Sequence, residues 1–109
     1  AKILETQTNV MHACEAETSM MMALEPNLVV DSLLNEAKGP MKLDFLNAGK
    51  GSYRWRSLTH VTSNGVIGDP SYSSSAKGEQ LLREASEAIF ELICNPETFK
   101  VQSELPLPE

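Results

Sequence analysis

The sequence predicts an α/β fold, on two kinds of periodicity. Residues 2–10 (KILETQTNV) and 53–62 (YRWRSLTHVT) alternate loosely between apolar and polar side chains and are rich in β-formers. A segment from Glu15 to about Leu24 and a longer one around Glu79 to Ile93 carry apolar residues at helical spacing. The order is extended, helix, short helix, extended, long helix. That is too few strands to close a sheet, so the pattern describes α/β material with an incomplete sheet.

Each element has a local reason. Glu15 and Glu17 suit the positive end of the first helix, and Met20 with Leu24 forms an i, i+4 apolar pair. Glu25-Pro26-Asn27 ends it, because proline lacks an N–H donor and restricts the residue before it. Asp31 is positioned to cap a brief helix over 31–37, which Gly39-Pro40 closes. Ser63-Asn64-Gly65 and Gly68-Asp69-Pro70 read as turns, and Tyr72-Ser73-Ser74-Ser75 offers several caps for the long helix. In that helix Leu81, Leu82, Ala85, Ala88, Ile89, Leu92 and Ile93 form the apolar face. Glu79, Arg83, Glu84, Glu87 and Glu91 occupy the other. Asn95-Pro96 terminates it. The final segment, 102–109 (QSELPLPE), has two prolines and no periodicity, and is expected to be an extended or disordered tail.

Composition narrows the function classes. With 41% hydrophobic and 22% charged residues the chain matches an ordinary globular protein, and its length of 109 residues allows one domain at most. The net charge of −6 and the absence of any basic cluster argue against a nucleic-acid partner. No apolar run approaches the ~20 residues of a membrane span. Cys14 and Cys94 have neither CxxC spacing nor the density of a disulfide scaffold, so a cytoplasmic setting is expected.

The chemistry is concentrated in His12-Ala13-Cys14-Glu15-Ala16-Glu17-Thr18-Ser19, where an imidazole and two carboxylates meet at the start of an apolar helix. An imidazole beside a carboxylate can move a proton or hold a metal. The alternative is a histidine that bonds a backbone carbonyl. The pattern is not HExxH, since no second histidine follows at i+4. Glu15 and Glu17 lie about 200° apart on a helix, so at most one shares a face with His12. Their alternative role is dipole stabilisation. Cys14 at a helix start invites a nucleophile reading, but neighbouring carboxylates oppose thiolate formation. A small buried turn residue is the better reading. Met20, Met21 and Met22 are expected to fill core or interface gaps, and Cys94 and His60 to be structural, Cys94 buried. Trp55, between Arg54 and Arg56, can stack on a flat ligand or pack an edge or interface. Asp69 is explained by an Asx turn.

Two stretches resemble the creatininase family of amidohydrolases. The first is His12 to Ser19, continuing through the apolar helix to Pro26-Asn27-Leu28-Val29. It is similar to the pattern His-Ala-Gly-x-x-Glu-Thr-Ser, an apolar helix, then Pro-x-Leu-Val. The second is Gly65-Val66-Ile67-Gly68-Asp69-Pro70, with Lys77-Gly78 and the long helix after it. The resemblance spans Met11 to Ile93. It implies that residues 1–101 are the C-terminal portion of a three-layer α/β/α domain, its sheet completed by a missing or separate N-terminal portion. It also implies a metal-dependent hydrolase that cuts a non-peptide C–N bond in a small cyclic or linear amide, with two divalent ions of zinc, manganese or iron.

Carried over, His12 has the proton-transfer role and Glu17 a place at the metal. Trp55 and Asp69 are candidates for the substrate pocket, while Glu15 falls at a variable position. Cys14 stands where the family usually has glycine. The family's Glu-x-His segment, bridging Asp and Gly-His-rich motif have no counterpart here. The resemblance therefore implies that this chain alone is inactive and is completed by an N-terminal chain or fragment carrying the other ligands, the assembled unit being a homo-oligomer. The alternative is a non-catalytic oligomerisation or interaction module derived from the same fold.

Overall fold

The computed structural model describes residues 2–41 and 56–101. Helix α1 spans Glu15–Leu24 and helix α2 spans Ser75–Cys94. Short 3-10 turns lie at Pro26–Leu28, Asp31–Leu33, Leu58–His60 and Pro70–Tyr72. Among the described residues there is no strand, and the one β-type pairing is an isolated antiparallel bridge between His12 and Ile67. The expected α/β class, as part of a three-layer α/β/α sheet domain, is therefore overturned for these residues: the architecture is helical.

The physical reason is where the backbone donors go. The amides of Glu5 and Thr6, expected in an extended strand, donate to the Glu15 carboxylate at 2.8–3.0 Å. In the second expected strand, His60 and Val61 donate to the carbonyls of Ser57 and Leu58, three residues back, at 2.9 Å. Donors satisfied by a side chain or a tight turn are not free to build a ladder. Residues 53–55 of that expected strand lie outside the described residues.

Helix α1 has the boundaries the sequence predicts. Helix α2 is capped by Ser74, whose hydroxyl accepts the Lys77 amide at 3.3 Å, and closed by Asn95, before Pro96. The expected helix over 31–37 shrinks to a 3-10 turn with following turns. Its N-cap is Val30 without a side-chain cap, so Asp31 does not take the capping position.

Helices α1 and α2 cross at Ser19 and Gly78. Both are buried, and a Cβ at Gly78 would lie 1.9 Å from the Ser19 carbonyl oxygen. The Ser74 amide donates to the Ser19 hydroxyl at 3.1 Å beside this crossing. The core around it is small. Leu4, Cys14 and Ala16 form its centre, with Met11 and Leu81 packed against them. At 1.5 Å per residue, α2 with its 20 residues outreaches the 10-residue α1 by about 15 Å. Among the described residues of its apolar face, Leu81 packs against that core and Leu82 is half-buried. Ala85, Ala88, Ile89, Leu92 and Ile93 are exposed, and so is Cys94, against the burial that the sequence predicts for it. No helix among the described residues is long and apolar enough to cross a membrane.

The backbone contact at Gly78 gives a direct test. Gly78→Ala improves helix propensity by about 1 kcal/mol but forces the helices apart. A net loss of about 1–3 kcal/mol in chemical denaturation is expected.

Candidate functional site

The site is a hook leading into α1. The carbonyl of His12 accepts the Ile67 amide at 2.8 Å, which fixes the hook against the turn before Gly68. Ala13 then takes φ +45°, in the left-handed region that costs a non-glycine residue about 1–2 kcal/mol. Two side chains of α1 hold it there. The Glu17 carboxylate accepts the Ala13 amide at 2.6 Å, and the Thr18 hydroxyl donates to the Ala13 carbonyl at 3.2 Å.

Cys14 follows with φ −84° and ψ −176°, an ordinary extended conformation. Its side chain is fully buried, its Sγ accepts the Met11 amide at 3.3 Å, and it packs on Gly68. A Cβ at Gly68 would stand 2.7 Å from the Cys14 Cβ, and φ there is +124°. Glycine at 68 is thus what makes room for a side chain at 14. Full burial also removes Cys14 from solvent and from any substrate, against the nucleophile reading.

Of the sequence-predicted residues, the structure brings His12 and Glu17 onto this one hook. The His12 imidazole is exposed. Glu17 lines an open apolar groove of about 380 Å³ between α1 and residues 28–37. Asp69 serves a different end. Its carboxylate accepts the Ser71 amide and hydroxyl at 2.9 and 2.5 Å and pairs with Lys38 at 3.2 Å. Burial acts to raise its pKa, but the Ser71 and Lys38 contacts prevail and hold the carboxyl below the usual range. Asp69 does not line the groove, though its neighbour Pro70 does. Trp55 lies outside the described residues.

The sequence predicts Glu15 only as a helix-start carboxylate, yet it is fully buried and bonded to three parts of the chain. It accepts the amides of Glu5 and Thr6 and the Thr6 hydroxyl, the last at 2.7 Å, and pairs with Lys77 of α2 at 2.8 Å. Burial pushes its pKa up. The Lys77 ammonium, then the Thr6 and Glu5 donors, outweigh that and lower it from 4.5 to about 2. Lys77 also pairs with Glu5, donates to the Tyr72 carbonyl at 2.6 Å, and lies 6.0 Å from the Tyr72 ring centroid. Burial lowers its pKa, but Glu15 and Glu5 together raise it above the usual lysine value. The sequence signal was there in Lys77, next to Gly78 at the start of the long helix. Its partner 62 residues away was not.

The metal implied by the resemblance is not accommodated by these residues alone. Among the described residues, no group of three or more His, Cys, Asp or Glu side chains comes together to hold an ion. One Glu17 oxygen is already engaged by Ala13.

A family model described as Creatininase, creatinine amidohydrolase, matches residues 1–93. The class is thus that of amidohydrolases in general. The chain belongs to the creatininase family, the match ending one residue short of the last residue of α2. No curated protein and no solved structure gives a significant match.

The Glu15–Lys77 pair makes stability depend on acid. The Glu15 pKa is depressed on folding, so its contribution is complete above about pH 4.5 and is lost as pH falls toward about 2. Denaturation midpoints should fall across that window, and Lys77→Met should flatten the dependence. Because it strands a buried carboxylate, Lys77→Met should itself cost about 3–5 kcal/mol at neutral pH.

Proposed function

We propose that this chain forms one wall of an amidohydrolase site that cuts a non-peptide C–N bond in a small amide. The observation that carries the reading is the hook itself. The exposed His12 directly precedes Ala13, whose amide the Glu17 carboxylate accepts, and Ala13 and Glu17 line an apolar groove, in a chain of the creatininase family. In hydrolysis a water oxygen adds to the carbonyl carbon and the C–N bond breaks. The leaving nitrogen needs a proton, and His12 is the residue assigned to deliver it, imidazole being suited to proton exchange near neutral pH. The exposed His12 ring has room to follow the substrate, while its backbone is held by the Ile67 bridge. Glu17, fixed through Ala13, offers its second carboxylate oxygen to the site.

The divalent ions expected for this chemistry, zinc, manganese or iron, need more donors than His12 and Glu17. We assign those donors to a separate N-terminal chain or segment, and activity to the assembled unit. Each reading has an observation in its favour. The exposed apolar stretch of α2, with Ile89, Phe90, Leu92 and Ile93 each more than half exposed, also suits a non-catalytic interaction module.

Metal content and mutant kinetics separate the two. In the purified assembly the amidohydrolase reading expects stoichiometric metal, and mass spectrometry should find a second polypeptide carrying the missing ligands. His12→Ala should lower kcat by about 10²–10⁴ with the fold intact by circular dichroism. Glu17→Gln keeps an acceptor for the Ala13 amide but removes the charge, and should lower metal content. An assembly with no metal and no hydrolysis of small amides would sink the enzyme reading in favour of the module.

A further inference from the structure

We propose that the groove beside Glu17 is a subsite for an apolar substituent of the substrate, so that the preferred amides carry an alkyl or aryl group and compact polar amides such as creatinine bind poorly. The inference rests on the amidohydrolase reading for the reacting end of the molecule, but the groove's own selectivity is measurable without turnover.

The groove begins at Glu17 and Ala13 and runs over Met21 to Leu28, Val30, Leu33 and Leu34. Its volume of about 380 Å³ lies at the lower end of the ~300–1,000 Å³ range of cavities that take small organic ligands. Polar side chains reach it only at one end. There the Thr18 hydroxyl is engaged by the Ala13 carbonyl, and one Glu17 oxygen by the Ala13 amide. The remaining carboxylate oxygen can accept an N–H from an amide seated at the hook. Beyond it the lining side chains are apolar, so affinity there comes from covered apolar area. Leu28 and Leu33 are 71% and 52% exposed, which leaves that area available to a ligand. A polar heterocycle would lose water along the same walls without compensation. Continuity with the hook favours a small amide as occupant over a protein segment. An amide puts its reacting group beside Glu17 while its substituent lies along the groove.

Isothermal titration of the full chain with acetamide, butanamide, hexanamide, benzamide and creatinine tests this. Affinity should rise about two- to fourfold per methylene from acetamide to hexanamide, with benzamide tighter than creatinine. Leu33→Asp and Leu28→Asp, both at exposed positions, should abolish the chain-length dependence. Leu24→Asp, which is exposed and outside the groove, should leave it unchanged. Circular dichroism verifies that each variant is folded. Affinity independent of chain length, or unaffected by both groove variants, would overturn the proposal, as would failure of every apolar amide to bind. Chain-length-dependent binding without hydrolysis by the assembled enzyme supports the groove and counts against the amidohydrolase reading. Hydrolysis of small amides at rates indifferent to chain length does the reverse.

Discussion

The pair of buried Glu15 with half-buried Lys77 is the interaction on which the rest of the structure depends. A carboxylate with no solvent exposure is tolerable only when its lone pairs are met by donors. Here two amides and a hydroxyl from residues 5–6 and an ammonium from α2 meet them. The set joins three pieces of chain that have little else in common. It pins the lead-in segment, which joins no sheet among the described residues. It also anchors the start of α1 and fixes the first turn of α2 over it. Tyr72 and Glu5 complete the coordination of Lys77, so neither end of the pair depends on a single contact.

That anchoring is what makes the hook usable. With α1 held through Glu15, the next outward-facing carboxylate, Glu17, is free to reach back to Ala13. The two acidic residues that look alike in sequence thereby divide their labour, one holding the fold and one facing the groove. The unfavourable backbone also falls on Ala13 rather than on Cys14. Cys14 therefore sits in backbone that any residue adopts. Position 14 needs no positive φ, and its side chain finds space against Gly68.

The close crossing at Gly78 and the small core place most of the cohesion near the start of α2. The remainder of that helix carries its apolar face into solvent. A helix whose hydrophobic stripe is longer than its packing partner is a surface with unspent hydrophobic driving force. The groove beside Glu17 is the second such surface, and it differs in having a carboxylate at one end.

Features decided within a few residues were legible in the sequence. The bounds of α1, a cap for α2 within residues 72–75, the Asx turn of Asp69 and the stop at Asn95 all follow from local hydrogen bonds and dihedral preferences. What the tertiary structure alone decided involves partners far along the chain. Alternation in 2–10 and 53–62 suggested strands, but a strand exists only if a neighbour accepts its donors, and in residues 2–10 the Glu5 and Thr6 amides went to Glu15. The importance of Glu15 depends on Lys77, and the burial of Cys14 on Gly68. The exposure of Cys94 depends on α1 being half as long as α2. Propensity and periodicity describe what a segment can do alone, whereas burial and pairing are settled by which distant segment arrives beside it.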